Sequence, residues 1–181
     1  MPKIARTLIL LATLTLCAGF AHAAVLSGVE VMSSTVMQPH QSSFSGLGLR
    51  ARITPPQMMA GFSIVPSLEY WRNHSTIQAF DIQATRKDAT LAALARYDFQ
   101  HAGWQPYLGA GLGLHFLSNE VDAPSLGLRN ATDSTIKGGV VGLAGVTFGL
   151  AGKLGNLIEV EYHGLSDQSQ FKINWGLSVG F

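Results

Sequence analysis

Residues 171–181 read Phe171-Lys172-Ile173-Asn174-Trp175-Gly176-Leu177-Ser178-Val179-Gly180-Phe181, and the alternation in them decides the fold. Successive side chains of a strand point to opposite faces. One face therefore carries Phe171, Ile173, Trp175, Leu177, Val179 and Phe181, and the other carries Lys172, Asn174, Gly176, Ser178 and Gly180. At about 3.3 Å per residue and a tilt near 40°, the stretch from Phe171 to Phe181 makes an apolar band about 25 Å tall, the height of the lipid-facing belt of an outer-membrane barrel.

The same period runs back through the chain, and no continuous helical spacing of apolar residues competes with it. Leu47, Leu49, Ala51 and Ile53 oppose Gly48, Arg50 and Arg52; Phe62, Ile64, Leu68 and Tyr70 oppose Ser63, Ser67 and Glu69. Leu91, Ala93, Ala95, Tyr97 and Phe99 oppose Arg96 and Asp98, and Trp104, Leu108, Ala110, Leu112, Leu114 and Phe116 oppose Gln105, Tyr107, the glycines and His115. Val140, Ala144, Val146 and Phe148 make a blurred strand, because Val141 and Leu143 break the alternation, and Ile158, Val160 and Tyr162 oppose Glu159, Glu161 and His163. With a first strand at 25–37 the total is eight. The expected fold is all-β, an eight-stranded antiparallel up-and-down transmembrane β-barrel over residues 24–181, preceded by a cleaved signal peptide.

That leader occupies residues 1–23. Lys3 and Arg6 precede an apolar run from Leu8 to about Phe20, and Ala21-His22-Ala23 is the small-x-small pattern of signal peptidase, placing cleavage before Ala24. The run is shorter than the roughly 18 residues of a spanning helix. Leu16 before Cys17 is unlike a lipoprotein signal, which places a small residue there. Cleavage removes the only cysteine, so no disulfide staples the mature chain in its oxidising compartment. It also leaves ten basic against eleven acidic residues without a basic cluster, which argues against nucleic-acid binding.

Connections alternate in character. Tight turns are expected at Thr54-Pro55-Pro56, His101-Ala102-Gly103 and Ala151-Gly152-Lys153, and longer or more polar segments at 72–88, 117–135 and 164–170, with a strand extended beyond the membrane through Phe80 and Ile82 as the alternative in the first. Residues 138–152 are too short to cross as a helix, about 22 Å against a hydrocarbon core of about 30 Å. With strand directions taken from the turns, aromatic residues fall at both ends of the belt. Phe62, Tyr97, Phe99, Trp104, Phe148 and Phe181 mark the short-turn end; Tyr70, Phe116, Tyr162 and Phe171 mark the other. A soluble sandwich gives no reason for such girdles.

The opposite parity assigns Arg50, Arg52, Arg96, Lys137 and Lys172 to the interior with Glu30, Glu69, Asp98, Glu159 and Glu161. The lumen of an eight-stranded barrel holds little beyond side chains, so these charges are expected to pair into a structural network. A narrow ion pathway is the alternative.

Trp104-Gln105-Pro106-Tyr107-Leu108-Gly109-Ala110-Gly111-Leu112-Gly113 resembles the W-x-P-Y-x-G-x-G-x-G strand of the small outer-membrane β-barrel domain family, the OmpA- and OmpX-like eight-stranded proteins. The terminal strand ending in Phe181 strengthens that resemblance, which covers most of the mature chain. It implies residence in the bacterial outer membrane among its lipids, with Phe171, Ile173, Trp175, Leu177, Val179 and Phe181 as the signal read by the barrel-assembly machinery. It also implies a membrane-anchoring, adhesive or host-surface role rather than an enzymatic one, with an extracellular ligand or host surface met through 72–88 and 117–135. The glycines at 109, 111 and 113 are expected to leave room for bulky lumen partners such as Tyr107 or Trp71.

Some small barrels are lipid A deacylases with a His-x-Ser pair. Here His163 and Ser166 stand three apart and so face opposite sides of a strand, which argues against that chemistry. His40, His74, His101, His115 and His163 lack metal-ligand spacing, so no metal and no cofactor are expected. Two alternatives stand beside the non-enzymatic barrel: a lipid-A-modifying enzyme or narrow channel, and a soluble periplasmic barrel binding a small apolar ligand.

Overall fold

A computed structural model describes residues 25–181 except 40, 57, 78–81, 102, 125–127 and 167; the leader and the cleavage position lie outside the described residues. Eight strands follow one another: β1 (Val25–Met37), β2 (Phe44–Thr54), β3 (Phe62–Ile77), β4 (Ile82–Asp98), β5 (Trp104–Ala123), β6 (Leu128–Ala151), β7 (Leu154–Leu165) and β8 (Ser169–Gly180). Each pairs antiparallel with its neighbour, and β1 closes on β8 from Gly28↔Gly180 to Met37↔Phe171. Closure leaves no open edge, the condition for putting a sheet in hydrocarbon.

The alternation read from β8 holds in space. Lys172, Asn174 and Ser178 are buried inside, while Phe171, Ile173, Trp175, Leu177 and Val179 are exposed outside. Leu112 is 69% exposed, Leu47 66% and Trp175 59%, in a continuous apolar surface that water would not tolerate. A surface of this kind suits bilayer hydrocarbon. Tyr70, Phe116, Tyr162 and Phe171 ring one end of this surface, with Phe99, Trp104, Phe148 and Phe181 exposed at the other. Phe62 and Tyr97, paired across β3 and β4, are half-buried there, and Tyr97 meets Phe99 edge-on at 4.9 Å.

At the short-turn end β6 and β7 are joined by Gly152 and Lys153, with Gly152 at φ +57°, a conformation costly for other residues. At the other end the strands correct the sequence reading. Segments 72–88 and 117–135 are largely not loops: β3 and β4 pair out to Ile77↔Ile82, and β5 and β6 to Ala123↔Leu128. The third segment is short as well, since β7 runs to Leu165 and β8 begins at Ser169. Apolar alternation ends at the girdle because both faces meet water beyond it, yet the backbone ladder continues. Asn119↔Asp133 and Glu120↔Thr132 are paired residues of the projecting hairpin.

The blurred alternation of β6 also has a physical cause. Val141 and Leu143 point inward and pack with Val65, Ala92, Leu94 and Tyr107, so the lumen contains an apolar cluster as well as charges. The glycines of β5 serve closer neighbours than expected. A Cβ on Gly111 would lie 2.0 Å from the Ala93 carbonyl oxygen, and those on Gly109 and Gly113 would press on Leu143 and Val141. The bulky side chains are accommodated elsewhere, Tyr107 against Gly145 and Trp71 against Gly46.

Candidate functional site

The lumen is built by i, i+2 placement on facing strands. β2 supplies Arg50, β3 Ser67 and Glu69, β7 Glu159, Glu161 and His163, and β8 Lys172 and Asn174, all of them buried. The Arg50 guanidinium donates from Nη1 to both oxygens of Glu159 at 2.8 Å, and from Nη2 to Glu161 at 2.8 Å and Glu69 at 3.2 Å. Its Nε donates to Ser67 at 3.2 Å, and Asn174 Nδ2 donates to Glu159 at 2.7 Å and Glu161 at 2.9 Å. Lys172 Nζ bonds Glu69 Oε2. Three carboxylates around one planar fork supply the charge-assisted bonds that a buried ion needs in place of water.

Toward the short turns a second centre forms on Arg96. It donates to Glu30 at 2.7 Å and to Asp98 at 2.7 and 3.0 Å, and its guanidinium lies 3.5 Å above the Tyr107 ring. Arg52 approaches Asp98 at 3.9 Å and borders two mouth cavities of about 290 and 310 Å³. Aqueous access at this end therefore reaches Arg52.

Toward the outer end, sequence reasoning missed a third group. Asp88 bonds His115 Nδ1 at 2.8 Å, His115 Nε2 lies 3.1 Å from His163 Nδ1, and His163 Nε2 stands 3.0 Å from Glu161 Oε1. Thr90 bonds the His115 ring at 3.0 Å, and Gln170 bridges Asp88 at 3.0 Å to the Trp71 indole N–H at 3.2 Å. Parity marked His115 and His163 as inward, but only barrel closure brings β4, β5 and β7 to one point. Above them Val36, Trp71 and Leu117, backed by Phe44 and Leu165, form an apolar stopper. Lys137, placed by sequence in the lumen network, is the register partner of inward His115 and lines, with Trp71, Leu117, Arg86, Lys87, Asn119 and Asp133, a cavity of about 150 Å³ at the outer end.

His163 and Ser166 do not share a surface: His163 is fully buried in the lumen and Ser166 is exposed past the end of β7. These two residues therefore form no lipid-facing pair.

Comparisons with known proteins agree with this architecture. The chain is similar to Neisserial surface protein A, at 17% identity and a TM-score of 0.65, over 87% of this chain and 99% of that one. It is similar to the attachment invasion locus protein Ail of Yersinia pestis in complex with the heparin analogue sucrose octasulfate, at 15% identity and a TM-score of 0.59, over 87% and 98%. It is also similar to the outer membrane protein OprG of Pseudomonas aeruginosa, at 14% identity and a TM-score of 0.53, over 87% and 95%. No curated protein sequence matches. The description of the Opacity family porin proteins matches residues 67–181, from the Ser67–Glu69 side of the lumen network to the terminal aromatic strand, and the chain belongs to that family of outer-membrane β-barrels.

Proposed function

We propose that this chain is a non-enzymatic outer-membrane barrel whose work is recognition at its outer rim, through the hairpins of residues 72–88 and 117–135. The observation that carries the proposal is the contrast in strand length. β1, β2, β7 and β8 are 13, 11, 12 and 12 residues long, whereas β5 and β6 reach 20 and 24. Seven residues of β5 lie past the girdle residue Phe116, roughly 23 Å of strand held clear of the bilayer. A stiff, polar projection beyond a plugged lumen suits binding rather than conduction.

The cavity in this rim is lined by Arg86, Lys87 and Lys137 with Asp133, and Lys87 is paired to Glu120; the remaining cationic surplus favours an anionic ligand such as a sulfated or acidic surface glycan. Arg86 is oriented by Asn119 at 2.9 Å and Lys87 by Glu120 at 3.2 Å, so the cations are held in place. The fold relative Ail has been captured with a heparin analogue, which supports the same ligand class. Residues 1–23 serve export with cleavage before Ala24, and Phe171, Ile173, Trp175, Leu177, Val179 and Phe181 serve the barrel-assembly machinery.

The test is retention of the detergent-solubilised barrel on immobilised heparin across a salt gradient. Wild type elutes above 0.15 M salt and the Arg86→Gln/Lys87→Gln double variant clearly earlier; retention equal in both overturns the rim assignment. Mass analysis of lipid A from cells with and without the chain tests the non-enzymatic part, which a chain-dependent change of mass would overturn. Steady conductance through planar bilayers would contradict the plugged lumen.

A further inference from the structure

The lumen is electrically uneven. The short-turn group of Glu30, Arg96, Asp98 and Arg52 balances two carboxylates with two guanidiniums. In the upper group the carboxylates Glu69, Glu159 and Glu161 are paired with Arg50 and Lys172, while Asp88 is met by His115. Three carboxylates thus share two cations beside His163. Burying that imbalance costs several kcal/mol per uncompensated ion, so something cationic belongs there.

Proton counting identifies what is lacking. Three contacts run in series from Asp88 through His115 and His163 to Glu161, and two neutral imidazoles carry only two N–H protons. With His115 Nδ1–H donating to Asp88 and His163 Nδ1–H donating to His115 Nε2, the lone pair of His163 Nε2 is directed at the carboxylates. His163 Nε2 and Glu161 Oε1 are fully buried, and neither has a hydrogen-bond partner among the described residues although they stand 3.0 Å apart. Glu69 Oε2 lies 3.8 Å from the same nitrogen, and the three ligand atoms are all within 4.8 Å of one another. Tetrahedral zinc with bonds near 2.0–2.1 Å separates its ligand atoms by roughly 3.3 Å, between the two distances seen here. A divalent cation held between Glu161 and Glu69 supplies positive charge to this cluster and gives the His163 lone pair a partner.

We propose that Glu69, Glu161 and His163 bind one zinc-class divalent cation inside the lumen, with His115 and Asp88 as positioning residues that fix the His163 tautomer. Metal-bound histidines regularly donate their second ring N–H in this way. The remaining oxygens of the two glutamates are already engaged, Glu161 Oε2 by Arg50 and Asn174, and Glu69 Oε1 by Arg50 and Ser67. Lys172 shares Glu69 Oε2 and so competes with the cation. The site is independent of the rim assignment, since no rim residue contributes to it.

The experiment uses Co²⁺ as the probe, present while the mature chain refolds from urea into detergent, because the finished lumen is sealed. After gel filtration the wild-type barrel retains one Co²⁺ with the visible absorption of four-coordinate cobalt. His163→Gln and Glu161→Gln lose it, Lys172→Met binds more tightly, His115→Gln binds about 10- to 100-fold more weakly, and His101→Gln at the short-turn mouth behaves as wild type. Failure of the wild type to retain Co²⁺, or equal retention by His163→Gln, overturns the site. Should the variants fail to fold, the wild type still decides: a strongly hyperfine-shifted, slowly exchanging imidazole N–H proton is expected from His163, and its absence refutes ligation.

Discussion

At mid-height the two sides of the lumen wall are chemically opposite. On β2, β3, β7 and β8 it is ionic, with Arg50, Glu69, Glu159, Glu161 and Lys172; on β4, β5 and β6 it is apolar, with Ala92, Leu94, Tyr107, Val141 and Leu143. Both sides are sealed from water, but by different physics. The apolar side needs only close packing, and it excludes the solvent that would otherwise screen the charges opposite. The ionic side cannot relax by taking up water, so every group in it depends on its partners. An eight-stranded barrel therefore acquires a plug whose two halves fail in different ways.

The largest effect is expected from breaking the ionic half at its centre. Arg50→Met leaves three carboxylates without their common cation and should cost about 3–5 kcal/mol, read as a lower urea midpoint of the refolded barrel in lipid vesicles. An unchanged midpoint would mean that water reaches Glu159 and Glu161. Truncating the apolar half through Leu143→Ala should cost about 2–3 kcal/mol by opening a cavity. Because this loss does not depend on charge, it should be insensitive to salt in the same assay. Smaller again is a backbone effect at the seam between β4 and β5. Gly111→Ala drives a methyl into the Ala93 carbonyl and should cost about 1–3 kcal/mol, whereas Gly142→Ala meets nothing within 4 Å and should be close to neutral. Equal effects at the two glycines would contradict the register assigned to β5 and β6.

The ionic half was legible in the sequence because parity alone assigns it. Once Ile158, Val160 and Tyr162 are outward, Glu159 and Glu161 must be inward, and Arg50, Glu69 and Lys172 follow from their own strands. Val141 and Leu143 were the visible trace of the apolar half, as a break in the alternation, but an apolar residue carries no mark of whether it faces lipid or lumen. The Asp88–His115–His163 relay left almost no trace. Asp88 sits in a polar stretch that reads as loop, and its partners His115 and Gln170 are 27 and 82 residues away, joined by the sheet rather than by local spacing. The extended hairpins escaped for a related reason: Ser118, Asn119 and Glu120 have water on both faces, so nothing in their hydropathy distinguishes a strand from a loop.

The sidedness of the wall underlies all of this, and the three tryptophans report on it directly. Trp175 is outward in the belt, Trp104 is at the short-turn girdle and Trp71 is 2% exposed within the stopper. Variants that retain one tryptophan each, the others replaced by phenylalanine, are reconstituted into vesicles whose acyl chains are brominated near the bilayer centre. Strong fluorescence quenching of Trp175, weaker quenching of Trp104 and little of Trp71 is the expected order. Equal quenching of Trp175 and Trp71, or native emission from a barrel folded without lipid or detergent, would contradict a wall that turns one face to hydrocarbon and the other to a sealed core.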